Sequence, residues 1–109
     1  MELLKTEFVP GDPSVLHVVG EIDISTADQL RSALEGALST DPKAVIDMAG
    51  VTFFDAAGLR MVLKVAESRN GAGPLTLLNA PRVAWMLELV GLGEFPSIVV
   101  REDGGTRGG

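Results

Sequence analysis

The side chains able to do acid–base, metal or nucleophilic chemistry are few, and they lack company. Asp23, Asp47 and Asp55 each end or follow a short apolar run ("GEID", "AVID", "TFFD"). Carboxylates near strand ends lie on the edge where α/β sheets bind ligands, so the three suggest Mg²⁺ binding or general acid–base work. Neither has support nearby. The chain has no cysteine and one histidine, His17, so thiolate sites, histidine metal sites and a Ser-His triad are not expected. His17 itself reads as a half-exposed strand residue. "GAGPL" lacks the lysine and spacing of a phosphate loop, and no residue set here would hold a small nucleotide. No catalytic residue, metal or cofactor is expected.

A different chemistry fits "FFDAAGLR", Phe53 to Arg60. The amide groups of a helix's first turn lack internal partners, and that end carries partial positive charge. Asp55 can cap such an end. Ala56, Ala57 and Gly58 are small enough to leave the backbone bare. This is a site for recognition, where another surface closes on the backbone.

Charge points the same way. Residues 12 to 55 hold eight acids and two bases, which accounts for the whole net charge of −6; elsewhere seven of each sign cancel. An acidic front half argues against nucleic acid and anionic membrane as partners, and for a basic protein surface. No apolar run nears the ~20 residues of a membrane span, and "MELLKTEF" has no signal-peptide layout. A cytoplasmic location is expected.

The elements that position these residues follow from pattern. "LLKTEFVP" reads as an edge strand, "GDPS" as a turn and "VLHVVG" as a second strand closing a hairpin. Thr26 with Gln29, or Ser25 with Asp28, offers a capping box for a helix whose stripe is Ala27, Leu30, Leu34 and Ala37. Asp41-Pro42 stops it. "KAVIDM" reads as a central buried strand, with Asp47 holding the connector "AGVTF" through its N–H groups. A second helix spans about Ala56 to Arg69, with Arg60, Lys64 and Glu67 on its wet side and Asn70-Gly71 as a left-handed cap. "GPLTLLN" is a strand. Pro81 opens a third helix with the stripe Val83, Met86, Leu87 and Val90. "GLGEFPS" is a loop and "SIVV" the last strand. The order β-β-α-β-α-β-α-β predicts an α/β fold: a mixed sheet with a leading hairpin and helices mainly on one face. Residues 1–101 form one domain. Residues 102–109 form a disordered glycine-rich tail.

Trp85 lies opposite the third helix's apolar stripe. It either fills a satellite cluster with Leu89, or stands exposed as an anchor for a second partner or a weak homodimer.

"GEIDISTADQLRSAL", "AVIDMAGVTFFDAAGLRMVL" and "PRVAWMLELVGL", in this order and spacing, resemble a STAS domain, and more narrowly the single-domain anti-sigma factor antagonists of bacteria. The likeness covers about Glu2 to Val100. It implies a binding module that engages an anti-sigma factor, usually also a serine kinase of the histidine-kinase-like ATPase fold, and so releases a sigma factor. It implies contact through Glu21, Asp23, Ser25, Thr26 and Asp28, through Phe54 to Leu59, and along the second helix through Arg60 and Lys64. The family's switch is a serine directly after the aspartate. Here that position is Ala56, so no hydroxyl is present to modify, whether the alanine is native or engineered. Ser25, Thr26 and Thr52 are the nearest alternatives, each readable as a cap or loop hydroxyl. The competing implication is a STAS scaffold subunit of a transport or stress-signalling complex that meets no sigma regulator.

Overall fold

A computed structural model describes residues 2–69, 71–93 and 95–102. The elements are β1 (Leu4–Val9), β2 (Val15–Ile22), α1 (Ala27–Thr40), β3 (Val45–Phe54), α2 (Ala56–Glu67), β4 (Leu75–Leu78), α3 (Pro81–Leu89) and β5 (Ile98–Arg101). One sheet takes the spatial order β1-β2-β3-β4-β5. β1 runs antiparallel to β2, and the other neighbours are parallel. This is the expected mixed sheet, with the helices packed against one face.

The core lies between that face and the helices. β2 gives Leu16, Val18 and Ile22, β3 gives Ile46 and Met48, and β4 gives Leu75 and Leu77. Leu30 and Leu34 of α1, Val62 and Val65 of α2, and Val83 and Leu87 of α3 meet them. Burial of these branched side chains, each contributing about 1.5–3 kcal/mol, holds the helices in place. The α1 stripe is as expected, and Asp41 ends the helix in extended conformation.

Several local expectations differ. "AGVTF" is not a connector but the second half of β3, which runs beside β2 to the pair Ile22–Phe54. Gly50 permits this: a Cβ there would come within 2.8 Å of Val19 Cγ2. Neither capping box forms. Thr26 caps α1 with helical backbone angles and no side-chain bond to the helix. Its hydroxyl donates to the Glu21 carbonyl at 2.8 Å and accepts from the Asp23 N–H at 3.0 Å. Gln29 reaches instead to the Leu4 carbonyl of β1, at 3.0 Å. α3 ends at Leu89, so Val90 falls at its C-cap and is exposed, and Met86 is half-buried, which leaves Val83 and Leu87 as the buried stripe. Trp85 and Leu89 share no covered cluster; they are 63% and 67% exposed. Asn70 and the tail beyond Glu102 lie outside the described residues.

Candidate functional site

The site grows from one strand pairing. Ile22 and Phe54 are register partners at the carboxyl ends of β2 and β3. Each is followed by an aspartate, so Asp23 and Asp55 leave the sheet side by side. Asp55 then caps α2. Its Oδ1 accepts the Ala57 N–H at 3.0 Å and the Gly58 N–H at 3.4 Å. Ala56, the first helical residue, is exposed, and Ala57 is half-exposed. Gly58 and Leu59 are buried. An added Cβ on Gly58 would come within 2.7 Å of Ile22 Cγ2 and 2.8 Å of Phe54 Cε1. Glycine therefore brings the first turn of α2 down onto the strand ends.

Asp23 organises the neighbouring loop. Its Oδ1 accepts the Ser25 hydroxyl at 2.6 Å and the Ser25 N–H at 2.8 Å. Hydrogen bonding from the Ser25 hydroxyl holds this carboxyl below its ordinary pKa; partial desolvation opposes the effect, and the amides of Ser25 and Thr26 add to it. These bonds turn Ile24 outward until it is 82% exposed. Ile24 thus presents its apolar side chain to solvent beside Ala57 of the α2 tip.

Between α1 and α2, beside this turn, lies a groove of about 290 Å³ lined by Ile24, Ala27, Asp28, Arg31, Ala57, Arg60, Met61 and Lys64. It carries three cations and one carboxylate. Arg31 lies 3.8 Å from Asp28 on the open surface, a pairing of little energetic weight.

Of the residues singled out from sequence, Glu21, Asp23, Ser25, Asp28, Asp55, Ala56, Ala57 and Arg60 reach the surface at this end of the sheet. Thr26, Phe54, Gly58 and Leu59 are buried and support that surface from below. Ile24, Arg31 and Met61 were not singled out. Their only sequence signal is an isoleucine stranded in "DIST", with Arg31 two helical steps behind it.

Asp47 does not join the other two aspartates. It sits early in β3, in register with His17 and Leu78. His17 Nδ1 lies 3.0 Å from Asp47 Oδ2. Asp47 Oδ1 accepts the Ala49 N–H at 3.0 Å, as expected, and also Asn79 Nδ2 at 3.2 Å. This is a structural tie across three strands. No group of three or more metal-ligating side chains occurs among the described residues. None of their helices is long and apolar enough to cross a membrane.

A five-stranded mixed sheet with a leading hairpin, three helices on one face and an open helix tip beside the β2–α1 loop defines a STAS-type domain. Residues 9–101 match the family model described as "Mlab, STAS domain", and the chain belongs to the STAS domain family. It is similar to the crystal structure of an anti-sigma factor antagonist from Mycobacterium paratuberculosis, at 26% identity over 88% of this chain and 85% of that one, with a TM-score of 0.73. It is also similar to the anti-sigma factor antagonist SpoIIAA in its unphosphorylated form, at 26% identity over 89% and 86% of the two chains, with a TM-score of 0.59. Comparison with curated proteins gives no match.

Proposed function

We propose that this chain is an anti-sigma factor antagonist: a binding module, not an enzyme, that captures an anti-sigma factor and so releases a sigma factor. The observation that carries the reading is the open tip of α2. Ala56 stands exposed above amides capped by Asp55, next to an isoleucine turned out into water. Likeness to two antagonists over most of both chains supports it.

The partner is an anti-sigma factor of the serine-kinase type, with a histidine-kinase-like ATPase fold. Its basic side chains face Asp23, Asp28 and Asp55. Its acidic ones face Arg31, Arg60 and Lys64, and an apolar pocket takes Ile24. Such a contact buries about 1,200–2,000 Å² in total. In a switchable relative, phosphate on the residue after the aspartate would add about −1.5 to −2 charges inside this contact and drive the partner off. Ala56 cannot accept it. Thr26 is 5% exposed and engaged with Glu21, which leaves Ser25 and Thr52 as the accessible hydroxyls nearby. This form binds and is not released by modification at position 56.

One observation favours a second reading. The missing hydroxyl suits a STAS scaffold subunit of a transport or stress-signalling complex, which needs no such switch. Affinity capture from the source cell separates the two. An ATPase of the histidine-kinase-like fold among the bound proteins supports the antagonist; a transporter ATPase in its place supports the scaffold.

A further inference from the structure

The joined ends of β2 and β3 have two sides, and the helices cover only one. Ile22 and Phe54 turn their side chains into the core on that side. Alternation along each strand turns the residues just before them, Glu21 and Phe53, to the opposite face of the sheet. These two are register partners, and both are exposed. Val19 lies one pleat further back on the same face, opposite Lys5 of β1 and Gly50 of β3. It leans over Gly50, where a Cβ would come within 2.8 Å of Val19 Cγ2. Leu3 joins from the far side: its carbonyl accepts the Glu21 N–H at 2.8 Å, which sets it opposite Glu21. Leu3, Val19 and Phe53 are 42%, 51% and 45% exposed.

Three apolar side chains from three strands thus surround one carboxylate. Neighbouring strands lie about 4.8 Å apart, so Leu3 and Phe53 stand about 10 Å from each other across Glu21. Glu21 takes part in no ion pair among the described residues, and neither does Lys5, diagonal to it on β1.

Continuity and charge say what covers this patch. Glu21 and Phe53 each lie two residues before an aspartate of the tip, Asp23 or Asp55, so patch and tip are two sides of one pair of strand ends. A partner seated on the tip reaches the patch by crossing the end of the sheet. A carboxylate without an ion-pair partner, ringed by apolar groups, suits an arginine. The guanidinium pairs with Glu21 and stacks on the Phe53 ring, while its stem covers Val19. A second copy centred on the patch would instead bring Glu21 against its own image, and like charges set opposite each other repel.

Given the antagonist reading on which this rests, we infer that the anti-sigma factor wraps the ends of β2 and β3 and sets an arginine, flanked by apolar side chains, on Glu21, Val19 and Phe53 of the helix-free face. Lys5 then stands beside the bound cation and opposes it.

Calorimetric titration with the captured anti-sigma factor tests this on the full chain, with Ile24→Glu as the reference for the tip. Phe53→Thr and Glu21→Lys each weaken binding by about tenfold or more. Lys5→Glu strengthens it by about threefold or more, because a repulsion beside the arginine becomes an attraction. A side chain that only supports the fold gives no such gain. All three positions are exposed, and unchanged melting temperatures confirm folding. If Phe53→Thr melts low, Phe53→Leu takes its place; it keeps apolar bulk, loses the ring, and weakens binding by about threefold. Wild-type affinity in the Phe53 and Glu21 variants, with Ile24→Glu still weakened, overturns the inference and leaves the antagonist reading standing. So does Lys5→Glu binding no more tightly than wild type. A wild-type dimer in sedimentation that Phe53→Thr dissolves gives the face to a second copy and overturns it as well. A chain that captures no anti-sigma factor overturns both.

Discussion

The Ile22–Phe54 pair is the hinge point of the site: one strand pairing sets Asp23 next to Asp55, and Gly58 rests on both members of the pair. The exposed tip of α2 is thus held by contacts that are themselves buried. A change beneath the tip should move it as surely as a change upon it.

Gly58→Ala is the direct case. Its methyl group would meet Ile22 and Phe54 below 3.0 Å, in a region where neither can move freely. The greater helix propensity of alanine does not offset this. Urea denaturation should show a loss of about 1–3 kcal/mol. Capture of the partner should fall as well, because the helix tip is lifted from the strand ends.

Much of this site was legible in the letters. Asp55 before two alanines and a glycine reads as a capped, bare helix start, and the structure has that cap. The stripe of Leu30, Leu34 and Ala37 and the stop at Asp41-Pro42 read equally well. What failed depends on partners distant in sequence. Gly50 looks like a strand breaker until Val19 of the adjacent strand is seen to need its space. Thr26 looks like half of a capping box, but β2 ends beneath it and offers the Glu21 carbonyl first. The His17–Asp47 tie joins residues brought together only by the parallel register. Trp85 was open to two readings, and only the packing of α3 shows it bare.

Acid should weaken the fold through Asp41 and Asp23. The Ser14 N–H, and after it the Lys43 N–H, hold the Asp41 carboxyl below its ordinary pKa, at 3.0 and 2.9 Å. Asp23 is lowered by the Ser25 hydroxyl. A carboxyl depressed in the folded state adds stability that is complete above its unfolded value of about 3.9, and that disappears as pH falls through the folded value. Melting temperature should therefore be flat near neutrality and fall below about pH 4. Asp41→Asn should melt lower than wild type at neutral pH, and the two curves should converge in acid.

Trp85 emission should report a wet indole. At 63% exposure the ring is open to solvent, so acrylamide should quench it strongly in the monomer. Trp85→Ala should change stability by less than about 0.5 kcal/mol, as for other surface positions. Strong protection in a proven monomer would contradict the packing described for α3.

Ala56→Ser should restore a switch. The position is exposed and first in its helix, so the hydroxyl fits without strain. Incubated with a kinase-type anti-sigma factor and ATP, this variant should gain one phosphate by intact mass and lose affinity for the kinase. The wild-type chain should gain none at this position.

The central claim is that the tip of α2 and the turned-out Ile24 are covered by another protein. Calorimetric titration of the captured anti-sigma factor against Ile24→Glu tests it most directly, because Ile24 is 82% exposed and lies outside the buried core. The account predicts an unchanged melting temperature and binding weakened by about tenfold or more, as for an interface anchor. Wild-type affinity in that variant would contradict it.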